Sequence, residues 1–447
     1  MVFVETFYVL VGVCVVLFLY TRTAMPSVED RNFQSFQRTY LMVYLLGAAG
    51  DWMQGPHVYA LYQSYGMTTH QIEQLFVAGF GSSMVFGTVV GSFADKIGRR
   101  TNCILYGVLY SLACVTKHFA NFWILMVGRL LGGVATSILF SAFDSWLVCE
   151  HNARGFDRDL LGSMFSLAVL GNSVVAISAG IVAQVFADRF GFVAPFDVSA
   201  VLLIIMCVIA VFTWNENYGD SSVNLGRSLI NAMKAIKQDR KILCLGLIQS
   251  LFEGAMYTFV LEWTPALTPA AQTTGETPRE TIPHGWIFAD FMVAVMIGSS
   301  LFKILLKFST PESFMRPVFF IAALSLSVPI FMPGQQVPIF LGFLTFEVCV
   351  GMFWPALSTL KGKYVPEETR ATVYNCFRIP LNMIVISILL QNFGMSLIFK
   401  CCSGFLMVAC LAQQWVYSLA VTSDKPTATS SPEVQANGSK QPLIEDI

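Results

Sequence analysis

The sequence predicts an all-α membrane protein built from two six-helix bundles and one extra N-terminal transmembrane helix. Three observations predict this fold class: a strongly apolar composition, apolar runs long enough to span a bilayer, and basic residues that collect on alternate connections. Of the 447 residues, 55% are hydrophobic and 12% are charged, and the mean hydropathy is +0.63. Soluble domains carry roughly 25% charged residues, so this composition excludes an ordinary soluble protein.

Thirteen runs are candidates for transmembrane helices, because a spanning helix needs about 20 mostly apolar residues. They cover 1–20, 39–62, 72–94, 102–119, 121–149, 160–187, 193–213, 242–266, 284–306, 315–333, 337–360, 370–392 and 396–421. The first run has no positive charge among its leading residues and no small-residue cleavage site after it. It is therefore predicted to be a retained helix rather than a signal peptide.

The basic residues predict the orientation, because cytoplasmic connections are enriched in Lys and Arg. If the connection that contains Lys96, Arg99 and Arg100 is cytoplasmic, 21 of the 27 basic residues, Lys361 among them, lie on that side. Four lie on the outer side, namely Lys117, Arg189, Arg279 and Lys400. The remaining two lie within spans. Thirteen spans then place the N-terminus outside the cell and the C-terminus in the cytoplasm.

The predicted spans divide the chain into five segments. They are an extra N-terminal helix with its cytoplasmic linker (1–38), an N-terminal six-helix bundle (39–213), a central cytoplasmic loop (214–241), a C-terminal six-helix bundle (242–421) and a disordered cytoplasmic tail (422–447). Two equal halves indicate an internal duplication, which membrane carriers use to form a site between bundles. Arg129–Gly133 aligns with Glu347–Gly351 at a spacing of 218 residues, as Asp51 does with Glu253 at 202.

The connection after the run 72–94 contains a motif, which reads Gly91-Ser92-Phe93-Ala94-Asp95-Lys96-Ile97-Gly98-Arg99-Arg100. It resembles the Gly-x-x-x-Asp-(Arg/Lys)-x-Gly-Arg-(Arg/Lys) signature of the major facilitator superfamily. The resemblance implies the major facilitator fold and a monomeric carrier that works by alternating access. Asp95 can cap a helix N-terminus or pair with a basic group. The predicted gating residues are Asp95, Arg99, Arg100 and Asp144.

Four further strings carry a narrower resemblance. They are Asp51–Pro56, Leu139–Trp146, Trp263–Pro265 and Asn375–Pro380. Together with the extra N-terminal helix, they resemble the eukaryotic molybdate-anion transporters of this superfamily, over roughly residues 1–421. The resemblance implies a non-enzymatic carrier that takes up a small inorganic anion, molybdate, through the lipid bilayer of the plasma membrane.

Five charged residues lie well inside predicted spans, namely Asp51, Arg129, Glu253, Glu347 and Arg378. A charge at the centre of a bilayer costs about 2.5–3.5 kcal/mol, so these side chains are expected to face the bundle interior. The two arginines come from different halves, and a guanidinium suits an oxyanion because it offers two parallel donors. With Asn375 as a neutral donor, these residues are the predicted substrate-binding or coupling site.

Three alternatives stay open at this stage. Arg129 pairs with Asp51 or Glu347 in a structural or gating salt bridge and does not contact substrate. The interior acids, which with Asp144 outnumber the two arginines, suit a proton-coupled carrier of another solute such as an organic cation. Their protonation would equally couple protons to anion uptake. A transporter-like receptor that binds its ligand without net flux is the third alternative.

Other classes of function lack the residues that they need. The net charge of −1 provides no basic surface for nucleic acid. No Gly-x-x-x-x-Gly-Lys-(Ser/Thr) phosphate loop occurs, which argues against ATP-driven transport. The five histidines are scattered without metal-ligand spacing. The sequence therefore predicts no metal and no cofactor.

Overall fold

The computed structural model describes residues 2–21, 31–87, 97–218, 225–268, 282–366, 370–391 and 393–423. Within these ranges the regular structure is helical. The helices are α1 (Val2–Thr21), α2 (Arg31–Trp52), α3 (Val58–Ser64), α4 (Thr69–Gly87), α5 (Arg99–Val115), α6 (Phe122–Ala153), α7 (Arg158–Phe190), α8 (Ala194–Thr213), α9 (Leu225–Gln238), α10 (Arg240–Leu267), α11 (His284–Leu305), α12 (Pro311–Phe331), α13 (Gln336–Tyr364), α14 (Arg370–Leu390) and α15 (Met395–Ser423). A short 3₁₀ turn, Thr116–His118, follows α5.

Each of the thirteen predicted runs contains a helix, which confirms the predicted fold class. Nine helices in the described ranges are long and apolar enough to cross a membrane, namely α1, α6, α7, α8, α10, α11, α12, α13 and α15. The other four runs contain α2, α4, α5 and α14, which carry more polar residues. In α14 the apolar part is the shorter segment Cys376–Leu390. Polar residues in spanning helices need protein or water around them, so the polar side chains of these four helices should lie away from lipid.

The connections differ from the prediction in two places. Helix α2 begins at Arg31, within the predicted linker, and ends at Trp52; the chain then turns before α3, so the run 39–62 is not one continuous helix. Pro56 lies in this turn, where its missing backbone N–H breaks no helical hydrogen bond. The predicted central loop contains α9, whose Ala232 and Ile236 pack against Ile242 and Val373.

The helices of the two halves are arranged alike. In the first half α4 packs on α6, and their equivalents α11 and α13 pack together in the second. Between the halves α4 packs on α14 and α11 packs on α7, so the second helix of each half contacts the fifth helix of the other. This twofold pattern supports the predicted duplication, while the exact domain boundaries stay predictions.

The aligned glycines lie where helices cross most closely. A Cβ atom on Gly133 of α6 would overlap the carbonyl oxygen of Gly79 in α4. A Cβ atom on Gly351 of α13 would overlap the carbonyl oxygen of Val295 in α11. Small residues allow such approach between transmembrane helices. The same crossing is therefore built from a glycine at the equivalent position of each half.

An apolar cluster joins the two halves on the predicted outer side, where α4 begins and α14 ends. Its buried members are Tyr62, Ile72, Leu75, Phe76 and Leu125 from the first half and Leu261, Leu381, Val385 and Leu389 from the second; it is hereafter the outer plug. Helices α7 and α11 also meet on this side, where Gln184 Oε1 accepts a hydrogen bond from the backbone N–H of Gly285 at 2.7 Å. The structure is therefore closed between the halves on the predicted outer side.

The extra helix α1 lies alongside α11. The Phe7 ring meets the Trp286 ring at 5.3 Å between centroids. At the other end of α1, the Lys307 ammonium lies 5.5 Å from the centroid of the Tyr20 ring. The two helices therefore run in the same direction, and the N-terminus of α1 lies on the same side of the bundle as the start of α11.

Candidate functional site

The predicted gating loop is described from residue 97 onward, so Asp95 lies outside the described residues. Gly98 precedes α5 with a φ of 112°, a conformation that glycine adopts without strain. Arg99 Nη1 donates a hydrogen bond to the Ser145 carbonyl oxygen at 3.1 Å, and Arg100 Nη1 donates to the Trp214 carbonyl oxygen at 3.0 Å. Both arginines thus fasten the start of α5 to neighbouring segments of the first half.

Glu216, which the sequence analysis did not single out, completes this junction. Its carboxylate accepts hydrogen bonds from the backbone N–H of Arg100 at 2.9 Å and of Thr101 at 3.2 Å, and from Thr101 Oγ1 at 2.6 Å. Arg100 Nε lies 3.6 Å from the same carboxylate. A carboxylate here satisfies unpaired N–H groups and complements the helix dipole. Glu216 has the capping role predicted for Asp95. The sequence feature that could have identified it is its position directly after a predicted span, on the side of the membrane where the basic residues collect.

Replacing Glu216 by Gln is expected to destabilise the protein, because an anionic acceptor for three donors becomes a neutral amide. Caps and charge-assisted hydrogen bonds of this kind contribute on the order of 1–2 kcal/mol. The thermal unfolding of purified protein should show a lower melting temperature for Glu216→Gln. The control is Glu5→Gln, which changes an exposed acid of α1. Equal melting of the two variants would contradict the capping role.

The interior acids of the first half accept hydrogen bonds from tyrosines. Tyr110 Oη donates to Asp51 Oδ1 at 2.6 Å, and Tyr40 Oη donates to Asp144 Oδ1 at 3.4 Å. The Tyr40 ring stacks on Trp214 with 6.0 Å between ring centroids. Because the Trp214 carbonyl oxygen accepts a hydrogen bond from Arg100, this stacking connects Asp144 to the start of α5. Within the described residues, neither acid forms a salt bridge.

Arg129 lies against aromatic rings of the outer plug. Its guanidinium carbon is 4.2 Å from the centroid of the Phe76 ring and 5.2 Å from that of Tyr62. Its Nε and Nη2 atoms are buried and have no hydrogen-bond partner in the described part of the chain. The alternative in which Arg129 pairs with Asp51 or Glu347 is therefore not the arrangement in this structure. Glu347 itself is buried in α13.

The second half brings Glu253 and Arg378 together with a lysine. Glu253 is 3% exposed and interacts electrostatically with both Lys361 and Arg378. Lys361 Nζ donates a hydrogen bond to Gln249 Oε1 at 3.1 Å. The Arg378 guanidinium carbon lies 5.5 Å from the centroid of the Phe140 ring of α6, so this group reaches the first half. Gln249, Glu253, Lys361 and Arg378 are hereafter the inner charge cluster.

Two lysines that the sequence analysis assigned to connections between spans are buried in the structure. Lys361, assigned to a cytoplasmic connection, is 8% exposed, and its ammonium lies 3.9 Å from the centroid of the Tyr374 ring. Lys117, assigned to an outer connection, is 3% exposed. A long lysine side chain near the end of a span can reach inward, which residue counting does not detect. The interior therefore contains two more cations than predicted.

Three more observations complete the placement of the predicted site. Asn375 is a residue of α14 whose side chain lies outside the described part. Two acids that are not part of the predicted site, Glu262 and Asp290, are buried in the second half. Both carboxyl oxygens of Asp290 and Oε1 of Glu253 are buried without a hydrogen-bond partner among the described residues. Among the described residues, Glu253 thus interacts electrostatically with Arg378 without forming a salt bridge, and Arg129 is not brought together with a predicted acid.

Comparison with known proteins agrees with this architecture. A family model described as sugar transporters, 12 TM, matches residues 2–353. The crystal structure of a D-xylose-proton symporter superposes with a TM-score of 0.66 and 12% identity, covering 85% of this chain and 97% of the symporter. That likeness concerns the fold, which is the fold predicted from the hydropathy and the motif.

Relatives of known name extend over nearly the whole chain. A molybdate-anion transporter of Xenopus tropicalis is 31% identical over 438 residues, which cover 94% of each protein. A molybdate-anion transporter of Takifugu rubripes is 33% identical over 416 residues, which cover 84% of each protein. With the twofold arrangement of helices and the family model, these matches show that the chain belongs to the molybdate-anion transporter family of the major facilitator superfamily and is a multi-pass membrane transporter.

Proposed function

We propose that this chain takes up molybdate, a tetrahedral oxyanion, across the plasma membrane by alternating access. The observation that carries the proposal is the inner charge cluster, in which the buried acid Glu253 interacts electrostatically with both Lys361 and Arg378. The cluster has one more positive than negative charge, and Arg378 lies against Phe140 of the other half. The molybdate-anion transporters with 31–33% identity support molybdate as the substrate.

The cluster offers the donors that an oxyanion requires. Molybdate presents only acceptor oxygens, which a guanidinium can bind in pairs and an ammonium can bind singly. Gln249 accepts a hydrogen bond from Lys361, and the Glu253 carboxylate attracts both cations. Such interactions are stronger in a water-poor interior than in water. Asn375 is proposed as a further neutral donor, and Arg129 as the basic residue of the first half that binds the anion at another point of the pathway.

Alternating access needs two closures, of which the outer plug is one. In the proposed cycle the outer plug separates when α4 moves away from α14. The cytoplasmic side is controlled by the predicted gating residues, Asp95, Arg99, Arg100 and Asp144. The proposed orientation has the N-terminus outside and the C-terminus in the cytoplasm. A monomer in the lipid bilayer suffices, because both halves of the pathway belong to one chain.

A proton-coupled mechanism is the second candidate, and unpartnered buried carboxyl oxygens favour it. Glu253 Oε1 and the two Asp290 oxygens have no hydrogen-bond partner in the described part of the chain. A proton on such a group would neutralise the carboxylate and so lower the cost of burying it. Asp51 and Glu347 are proposed as further coupling residues. Molybdate uptake that is unaffected by both external pH and Glu253→Gln would contradict proton coupling.

Cells that express this chain should accumulate labelled molybdate faster than cells with an empty vector. Excess tungstate should reduce the uptake, because it is also a tetrahedral dianion, and sulfate tests the effect of a smaller one. An organic cation such as tetraethylammonium should not compete. Unchanged accumulation, with the protein verified at the cell surface, would contradict anion uptake. Binding of molybdate without accumulation would favour a receptor, and competition by the organic cation would favour a cation carrier.

A further inference from the structure

A second pair of buried cations lies at the outer plug, apart from the inner charge cluster. Lys117 and Arg129 both contact one aromatic side chain, the fully buried Tyr62. Lys117 Nζ donates a hydrogen bond to Tyr62 Oη and lies 4.8 Å from the centroid of the same ring. Arg129 approaches that ring with its guanidinium carbon at 5.2 Å. Three elements, the 3₁₀ turn after α5, helix α3 and helix α6, thus bring two positive charges to one phenol.

The inward position of Lys117 is held by several contacts. Its backbone carbonyl oxygen accepts a hydrogen bond from Tyr65 Oη, and its ammonium lies 5.9 Å from the centroid of the Phe196 ring. The side chain is 3% exposed although the turn lies at the end of a span, where a lysine could reach water. Aromatic faces attract cations but do not neutralise their charge. The packing of the first half therefore holds the Lys117 side chain in its buried position.

No acid compensates these two charges in the described part of the chain. No salt bridge there includes Lys117 or Arg129, and Asp197 of the neighbouring α8 pairs instead with His118 at 2.7 Å. Arg129 Nε and Nη2, which form one edge of the guanidinium, are buried without a hydrogen-bond partner. Unpaired buried charges are costly, and like charges near one another add to the cost. An anion bound by Lys117 and Arg129 would remove this cost.

We propose that Lys117, Tyr62 and Arg129 form an outer anion site, which receives the transported tetrahedral dianion when the outer plug opens. This inference rests on the proposed oxyanion transport. The free edge of Arg129 can bind two oxygens in parallel, and the Lys117 ammonium and Tyr62 hydroxyl can each bind another. The two positive charges equal the charge of the dianion, so binding neutralises the site.

The outer anion site and the inner charge cluster lie at different depths of the pathway. Arg129 is the eighth residue of α6, which begins on the outer side, and at 1.5 Å per residue it lies about 10 Å from that end. Arg378 is the ninth residue of α14, which begins on the cytoplasmic side, about 12 Å from that end. An anion that enters from outside would therefore meet Lys117 and Arg129 first and Arg378 and Lys361 next.

The test compares external molybdate uptake by Lys117→Gln, Lys117→Arg and Arg129→Lys with uptake by the control Lys400→Gln. Lys400 is an exposed lysine on the same predicted side. Lys117→Gln removes one of the two positive charges that would bind the dianion. This variant should therefore raise the KM for external molybdate about tenfold, with a smaller effect on the maximal rate. Lys117→Arg should recover most of the affinity. Arg129→Lys should keep the charge, lose the paired donors and show an intermediate KM.

Titration of purified wild-type protein and variants with tungstate measures binding independently of transport. The outer site would be overturned, and the proposed function left intact, by one combination of results. In it, wild-type cells take up molybdate, and Lys117→Gln reaches normal surface levels and shows the wild-type KM. Wild-type protein that binds tungstate through Lys117 but carries no molybdate would contradict the function and support the site. If Lys117→Gln does not fold, unchanged tungstate affinity in both Arg129→Lys and Tyr62→Phe overturns the site.

Discussion

Replacing Arg378 by Gln is expected to reduce molybdate uptake by about 100-fold. The guanidinium is the group of the inner charge cluster that reaches the other half, at Phe140, and it shares Glu253 with Lys361. Hydrogen bonds to charged groups contribute about 1.5–3 kcal/mol each, and about 2.7 kcal/mol corresponds to a 100-fold change. Removing the charge also leaves Lys361 as the single cation of the described residues that interacts with Glu253. The initial rate of labelled molybdate uptake, normalised to surface protein, measures the loss.

Two controls separate substrate binding from simple charge balance. Arg189→Gln changes an exposed arginine of α7 and should transport normally. The double variant with Glu253→Gln and Arg378→Gln removes both members of the pair. If Arg378 served only to balance Glu253, the double variant would recover uptake. The proposed anion site requires that it stay inactive, because no neutral side chain replaces the positive charge.

Replacing Gly351 by Leu is expected to prevent the second half from folding. A side chain at this position would meet the Val295 backbone of α11, and Gly298 of α11 in turn faces the Val348 carbonyl oxygen of α13. Backbone atoms cannot rotate out of the way as a side chain can, so the helices must separate. Overpacking in a close-packed interior costs typically 1–3 kcal/mol and more when backbone must move. Size-exclusion chromatography of detergent-solubilised protein should show little monodisperse material.

The matched control is Gly404→Ala in α15, where an added Cβ atom meets nothing within 4 Å. Alanine favours a helix over glycine by about 1 kcal/mol, so this variant should be as stable as the wild type or more stable. Gly133→Leu should reproduce the defect in the first half, because the equivalent crossing involves Gly79. A monodisperse, active Gly351→Leu protein would show that the crossing is not under this constraint.

Hydropathy predicted the helices well because run length and composition are local properties. The break after Trp52 and the helix α9 were missed, since both depend on what the flanking segments pack against. The glycines after Arg129 and Glu347 were informative, because a repeated small residue in aligned helices requires a repeated close approach. The fold class was therefore accessible from the sequence alone, and the duplication that the sequence indicates agrees with the twofold arrangement of the helices.

The site was predictable only in part. Glu253 and Arg378 stand out because a charge within an apolar run has to face protein or water. Lys117 and Lys361 do not stand out, because each lies near the end of a span, where a lysine usually reaches solvent. Their partners, Tyr62 and Gln249, are 55 and 112 residues away in sequence. Such pairings arise from tertiary packing, and no local pattern reports them.

Counterflow by the purified protein in liposomes tests the central claim, that the chain carries an oxyanion by alternating access, most directly. Vesicles loaded with unlabelled molybdate are diluted into a trace of labelled molybdate. A carrier that exchanges one anion per conformational cycle should accumulate the label transiently above its equilibrium level, and Arg378→Gln should abolish this overshoot. Label that only binds, or that equilibrates without an overshoot in the wild type, would contradict the account.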